Sequence, residues 1–204
     1  MPGDAISIPK RARKLSCFQR RRVVESPQQL GVCRGDANMR RKDREIRDIR
    51  QIFDILTRCD TIRIGFQGES YPYIIPVSFG AEMEGGRPVI YFHCARKGMK
   101  LDLLAENAHV CVEGDIFIRT ETTDHGITTR YESVIGFGAC QLLEDEDEIL
   151  HGLKLLTDHY GYRDYAVEQC RGLKHVFVGK IVLDEITGKR NLPGLPTAAD
   201  RENA

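Results

Sequence analysis

From Met39 onward the chain alternates between a helical hydrophobic rhythm and a two-residue one. Ile46, Ile49, Phe53 and Leu56 share one helical face, which predicts a helix from Arg44 to about Arg58 with Asp43 as its N-cap. Ile62, Ile64 and Phe66 then alternate with polar neighbours, as in a half-buried strand. YPYIIPVSFGAEM (71–83) is rich in strand formers but carries Pro72 and Pro76. Proline donates no ladder hydrogen bond, so Pro76 implies an edge position, a bulge or a backbone facing a ligand. Gly85–Gly86 marks a hairpin turn into a strand at Val89–His93. A short helix from Met99 to about Asn107 should bury Leu101 and Leu104.

His109–Arg119 and Thr128–Leu143 are long alternating stretches joined by the polar turn ETTDHG (121–126). Gly136 and Gly138, two apart on the second stretch, suggest a bend or a close approach. Asp145 with Glu148 forms a capping box for a helix to about His159, whose apolar stripe is Ile149, Leu153, Leu156 and Tyr160. A last strand, Lys174–Leu183, precedes ITGKRN (186–191) and a Pro- and Gly-containing tail at 191–204, expected to be flexible. The order is helix, three strands, short helix, two long strands, helix, strand. It predicts a mainly β fold with about three peripheral helices, an antiparallel barrel whose ends the helices plug. Regular crossover helices, the mark of a parallel sheet, are missing from the pattern.

At 204 residues the chain suits one domain with extensions. No apolar run approaches the ~20 residues that span a bilayer, and no apolar stretch follows the basic N-terminus as a signal peptide requires. The seven cysteines are scattered without C-x-x-C spacing, and the histidines lack H-x-x-x-H spacing. Reduced thiols, a cytoplasmic location and no metal site are the expectation. Residues 1–38 hold eight basic side chains against three acidic ones, so this segment carries +5 and the rest −5. The segment reads as a disordered basic extension, and Met39 is a candidate start codon. A mildly acidic body excludes the usual nucleic-acid-binding face. No G-x-G-x-x-G or G-x-x-x-x-G-K-[ST] loop occurs.

Candidate chemistry concentrates in YFHCARKGMK (91–100). A strand ends in His93, and Arg96, Lys97 and Lys100 surround a glycine at a helix start. Free N–H groups, the helix dipole and cationic side chains together suit an anionic, phosphate-bearing ligand. A solvated basic turn fits the same residues. Cys94 has no visible orienting partner and reads as a small buried thiol.

Taken together, MRRKDREI (39–46), YPYIIPVSFG (71–80), YFHCARKGMKLDLL (91–104), YESVIGFGAC (131–140) and ITGKRN (186–191) resemble the flavin-binding split-barrel family related to pyridoxamine 5′-phosphate oxidase, nearest its nitroimidazole-resistance branch. The resemblance runs collinearly over residues 39–190. It implies a split antiparallel β-barrel of the FMN-binding type, assembled as a homodimer with FMN at the interface. Tyr73, Ile75, Pro76, Val77 and Ser78 would line the flavin ring, and Arg96, Lys97 and Lys100 would hold its phosphate. Ser133 would reach the flavin or its ribityl chain, and Gly188 and Lys189 match a C-terminal turn near the dimer seam. His93 would contact the flavin and serve as the candidate catalytic proton donor. The activity implied is reduction of small electrophiles such as nitroimidazoles and nitroaromatics. The alternative is a non-catalytic flavin binder, or a haem or deazaflavin binder on the same barrel. Pyridoxamine phosphate oxidation is not expected, because the basic residues of the ring-lining strand and the C-terminal Arg-x-His pair are missing.

Overall fold

The computed structural model describes residues 39–124 and 126–193; the expected extension at 1–38 and the tail beyond 193 lie outside them. A 3-10 turn at Lys42–Arg44 leads into the two-residue strand β1 (Glu45–Ile46) and the helix α1 (Ile49–Arg58). The helix thus starts at Ile49, not Arg44. Asp48, not Asp43, caps it, its carboxylate accepting the Arg50 N–H at 2.9 Å. Ile46 keeps its place beside the core while its backbone pairs with Gly188 in a strand.

Six strands and two helices follow: β2 (Ile62–Phe66), β3 (Tyr73–Val77), β4 (Gly80–Glu84), β5 (Arg87–Ala95), α2 (Met99–Glu106), β6 (His109–Thr123), β7 (Gly126–Leu142) and α3 (Glu146–His159). Two short 3-10 turns then precede β8 (Val176–Asn191). Gly85 and Gly86 take φ of 58° and 81° in the β4–β5 hairpin, the left-handed pair a tight hairpin turn demands. Asp145 caps α3 as expected, accepting the Glu148 N–H at 3.0 Å.

All the pairings are antiparallel, in the order β3-β2-β6-β7-β8-β5-β4, with β1 added to β8. β3 and β4 are therefore the two ends of the path, yet only Ser78 and Phe79 separate them in sequence. Three residue steps reach about 10 Å at most, so the sheet has to curl until its ends meet. That closure makes the split barrel, and it puts Pro76 on an edge strand, where a missing donor costs nothing. Phe79 fills the join with no exposure, and its N–H donates to the Tyr160 hydroxyl. Gly138 bears out the expected close approach: a Cβ there would lie 2.0 Å from the Val182 carbonyl oxygen. ITGKRN is strand rather than turn, because Gly188 and Lys189 pair with β1 on one side and β7 on the other.

The main core fills the barrel with Ile62, Ile64, Val112, Phe92 and Ile181, and the buried side of α1 closes one end. A smaller core of Val89, Tyr91, Leu143 and Val178 lies on the other face of β5 and β8, beneath α3. A polar clasp fastens that layer. The Tyr91 hydroxyl donates to Glu82 at 2.9 Å, and His151 Nε2 sits 2.8 Å from the same carboxylate oxygen. Burial pushes the Glu82 carboxyl up, but the His151 and Tyr91 hydrogen bonds outweigh it and hold the group below its ordinary 4.5. The Arg41 guanidinium similarly brings Asp43 down to about 2. Both folded-state values lie below the unfolded ones, so their stabilisation is present above the ordinary carboxylate range and is lost as pH falls through the folded values. Urea midpoints measured from pH 6 to pH 2.5 should therefore decline steadily below about pH 4.5, with a smaller decline in Glu82→Gln. Among the described residues, no helix is long and apolar enough to cross a membrane.

Candidate functional site

The residues singled out in the sequence fall into three places. The first is the end of β5 and the start of α2. Gly98 precedes α2 with φ of 136°, and no side chain caps the helix. A Cβ at Gly98 would meet nothing within 4 Å, so open space adjoins this backbone. Arg96 and Lys97 are exposed and Lys100 half-buried; among the described residues, none of the three forms an ion pair. The Arg96 guanidinium stacks 4.7 Å from the Phe177 ring centroid, which fixes one cation while its N–H fork stays available. Free N–H groups and uncompensated cations on an exposed helix start make an anion-binding arrangement.

The second place is β3. Tyr73, Ile75 and Val77 turn towards the main core, while Ile74, Pro76 and Ser78 face outward. As an end strand, β3 pairs only with β2 in the sheet. Its other backbone edge is free to meet a planar ligand. The Asn107 amide donates to the Gln67 side chain at 2.6 Å, tying the far end of α2 to the turn before β3.

The third place holds Ser133, far from the first. Ser133 lies opposite Lys189, whereas Arg96 stacks on Phe177 at the other end of β8. Twelve residues of extended strand span up to about 40 Å, so one chain does not bring Ser133 to the Arg96–Lys100 cluster. Around Ser133 the sheet carries a cationic group that the sequence left undecided. The Lys189 ammonium lies 5.8 Å from the Tyr131 ring centroid. Burial pushes the Tyr131 phenol up, but hydrogen bonds and charges from Arg44 and Lys189 prevail and leave it below its ordinary value.

His93 stands on the face of β5 with Val89 and Tyr91, opposite the face of Ile90, Phe92 and Cys94. Arg96 and His93 thus flank the same strand end from opposite sides. Cys94 is the buried thiol expected, its pKa raised by desolvation. His93 opens on a cleft that the sequence reading missed, formed with Leu153, Leu156, Tyr165, Cys170 and Val176. Residues 160–175 show no sustained period, and nothing in their spacing links them to β5.

This antiparallel half-barrel agrees with a comparison over most of the chain: the family model for pyridoxamine 5′-phosphate oxidase matches residues 48–190. The chain belongs to that family. Among solved structures, this member of the pyridoxamine 5′-phosphate oxidase family is similar to a candidate 5-nitroimidazole antibiotic resistance protein from Bacteroides thetaiotaomicron. The two share 26% identity with a TM-score of 0.63, over 71% of this chain and 85% of that one. The flavocytochrome Anf3 from Azotobacter vinelandii shares the fold at 19% identity and a TM-score of 0.63, covering 81% of this chain and 78% of its own. An FAD- and haem-binding protein from Mycobacterium smegmatis does so at 20% identity and 0.60, covering 78% of each chain. No curated protein matches the sequence.

Proposed function

We propose that this protein is an FMN-binding oxidoreductase that reduces small electron-poor molecules such as nitroaromatics, working as a homodimer. The observation that carries the proposal is the uncapped start of α2 with Arg96, Lys97 and Lys100 around Gly98, none of them in an ion pair among the described residues. A flavin phosphate satisfies the N–H groups and the charges together, which a neutral ligand does not. FAD is named in some of the similar structures, and its phosphates suit the same cradle; the proposal commits to FMN because one such anchor is visible. Bound flavin would supply the redox chemistry, taking two electrons from a reduced nicotinamide and passing them to the acceptor. The chain's own residues hold the phosphate, present the β3 edge to the ring and offer His93 as a proton donor at the strand end.

The separation of Ser133 from the phosphate cradle favours a second copy, whose outer sheet face would supply Ser133 across the interface. That face is mixed, with Arg63 paired to Glu113 and Asp115 at its middle. By register Ile74, Phe117, Ile135 and Phe137 share it, exposed by 61, 63, 42 and 50%. Exposed large apolar side chains gathered on one face suit burial against another subunit.

Purification with the ligand retained tests the reading directly. A flavin absorption band, or its appearance on adding FMN, is expected, with bleaching by NADH or NADPH under anaerobic conditions and reoxidation by a nitroimidazole. Absence of any flavin band after FMN addition rules the proposal out. Lys97→Ala/Lys100→Ala should weaken FMN about thirtyfold in a fluorescence titration, with the melting temperature of the FMN-free protein unchanged. Riboflavin, which lacks the phosphate, should bind parent and variant alike.

A further inference from the structure

β2 runs beside β6 only as far as Glu113, and β8 runs beside β7 only as far as Tyr131. β6 and β7 go on pairing with each other, through Arg119–Arg130 to Thr122–Ile127. From Tyr131 to Ile127 this hairpin arm overhangs the barrel by about 13 Å as a two-stranded ribbon. A ribbon of two strands is marginal in water by itself, but one face of this one is tied down. Glu121 accepts Arg119 at 2.8 Å and Arg130 at 2.6 Å. Arg130 also donates to Asn191 at 3.2 Å, and the Asn191 amide donates to the Thr129 carbonyl at 2.5 Å. The other face is open. Ile127, Thr129, Tyr131, Ser133 and Ile135 share it by strand alternation, and Ile127 near the tip is 82% exposed. The ribbon thus spends its polar face on its own barrel and holds an isoleucine away from it.

We propose that the arm is a clasp between two copies of this chain: each arm passes over the end of the other copy's β5 and buries Ile127 there. The proposal rests on the homodimer reading above and adds the element that makes such a dimer stable. The outer face alone crosses five strands, from Ile74 through Gly65, Cys111 and Phe137 to Glu185. That width is about 19 Å, and the length from Ala139 to Tyr131 is about 27 Å. The resulting ~500 Å², with the Arg63 ion pairs at its middle, falls short of the roughly 800 Å² per partner that a stable interface takes. The arm continues the same face and supplies the missing area. Its direction follows from Ser133. With Ser133 at the second copy's Arg96–Lys100 cluster, an arm leaving Ser133 towards Ile127 runs on past that cluster. Two-fold symmetry repeats the contact on the other side, so each copy's strand end is roofed by the other's arm.

Sedimentation equilibrium of the full chain over a range of concentrations reads the dimer. Ile127→Asp should raise its dissociation constant about a hundredfold, because two-fold symmetry places the buried charge at two contacts. Far-UV circular dichroism should stay unchanged, since the side chain is exposed in the single copy. Met83→Asp, which puts the same charge at an exposed apolar position of the β4–β5 hairpin, should leave the dissociation constant alone. A photo-crosslinking p-benzoylphenylalanine placed at position 127 gives a second reading that needs no destabilising change. In mixed light- and heavy-nitrogen protein, its cross-links should join a light chain to a heavy one and map to residues 93–106 of the other copy. In protein that remains dimeric, a parental dissociation constant for Ile127→Asp, or cross-links confined to one chain, would overturn the clasp and leave the homodimer standing. A parent chain that sediments as a single copy at every concentration overturns both.

Discussion

Gly80→Ala is expected to destabilise the protein by about 3 kcal/mol, a fall in melting temperature of roughly 6–12 °C for a chain of this size. Gly80 pairs with Tyr91 in the β4–β5 ladder, and α3 rests directly on it. A Cβ there would lie 2.4 Å from both the Leu155 carbonyl carbon and the Leu156 nitrogen. Backbone atoms inside a helix cannot swing aside as a side-chain tip can, so the whole of α3 has to lift. Lifting it strains the Tyr91–Glu82–His151 clasp and shifts Leu156 at the cleft wall. Gly65→Ala is the contrast: its Cβ would meet nothing closer than 3.7 Å, and the change should cost less than about 1 kcal/mol. Equal unfolding free energies for the two variants would show that α3 does not bear on β4.

Removal of the Glu132 carboxylate should cost about 2–3 kcal/mol, read from urea unfolding of Glu132→Ala. Glu132 is only 4% exposed, and one carboxylate holds two guanidinium groups. Its Oε2 accepts Arg58 at 2.7 Å and its Oε1 accepts Arg190 at 2.5 Å. Arg58 belongs to the last turn of α1, and Arg190 lies opposite Glu132 in the β7–β8 ladder, so one buried group ties the helix plug to the barrel wall. Without it Arg190, mostly buried, keeps its charge with no other ion-pair partner among the described residues, whereas Arg58 retains Asp54 at 3.0 Å. That asymmetry sets the expected cost below the 3–5 kcal/mol typical of a fully buried broken pair. Glu132→Leu/Arg190→Leu should recover part of the loss, because it takes the stranded charge away with its partner. A double variant as unstable as the single one would locate the effect in packing instead.

Local rules carried the sequence reading as far as neighbours in sequence decide structure. Asp145 and Glu148 mark the start of α3 because an N-cap needs only residues three apart. Gly85–Gly86 mark their hairpin for the same reason. The start of α1 misled because Ile46 fits the helical period but is drawn into a strand by Gly188, far along the chain. ITGKRN has the composition of a turn, and only its long-range partners on β1 and β7 make it extended. The cationic helix start was legible because its parts occupy five consecutive residues, Arg96 to Lys100. The cleft was not, since Cys170 and Tyr165 meet His93 only through the packing of α3 and an aperiodic segment. The family pattern supplied Ser133 and the Gly188–Lys189 position, but it could not reveal that Ser133 stands at the opposite end of β8 from the cradle.

The place of β8 in the sheet has a consequence for synthesis. This strand pairs with β1, β5 and β7, yet it is the last element of the described chain to be made. At about 5–20 residues per second, the 80 residues separating Ala95 from Val176 take several seconds to emerge. From its own synthesis until β8 arrives, each of β5 and β7 presents a bare ladder edge on the ribosome, with Val89, Phe92 and Val134 uncovered beside it. A nascent chain stalled or truncated before residue 176 is therefore an open sheet seeking a partner strand, and completing β8 covers the edges of β5 and β7 at once.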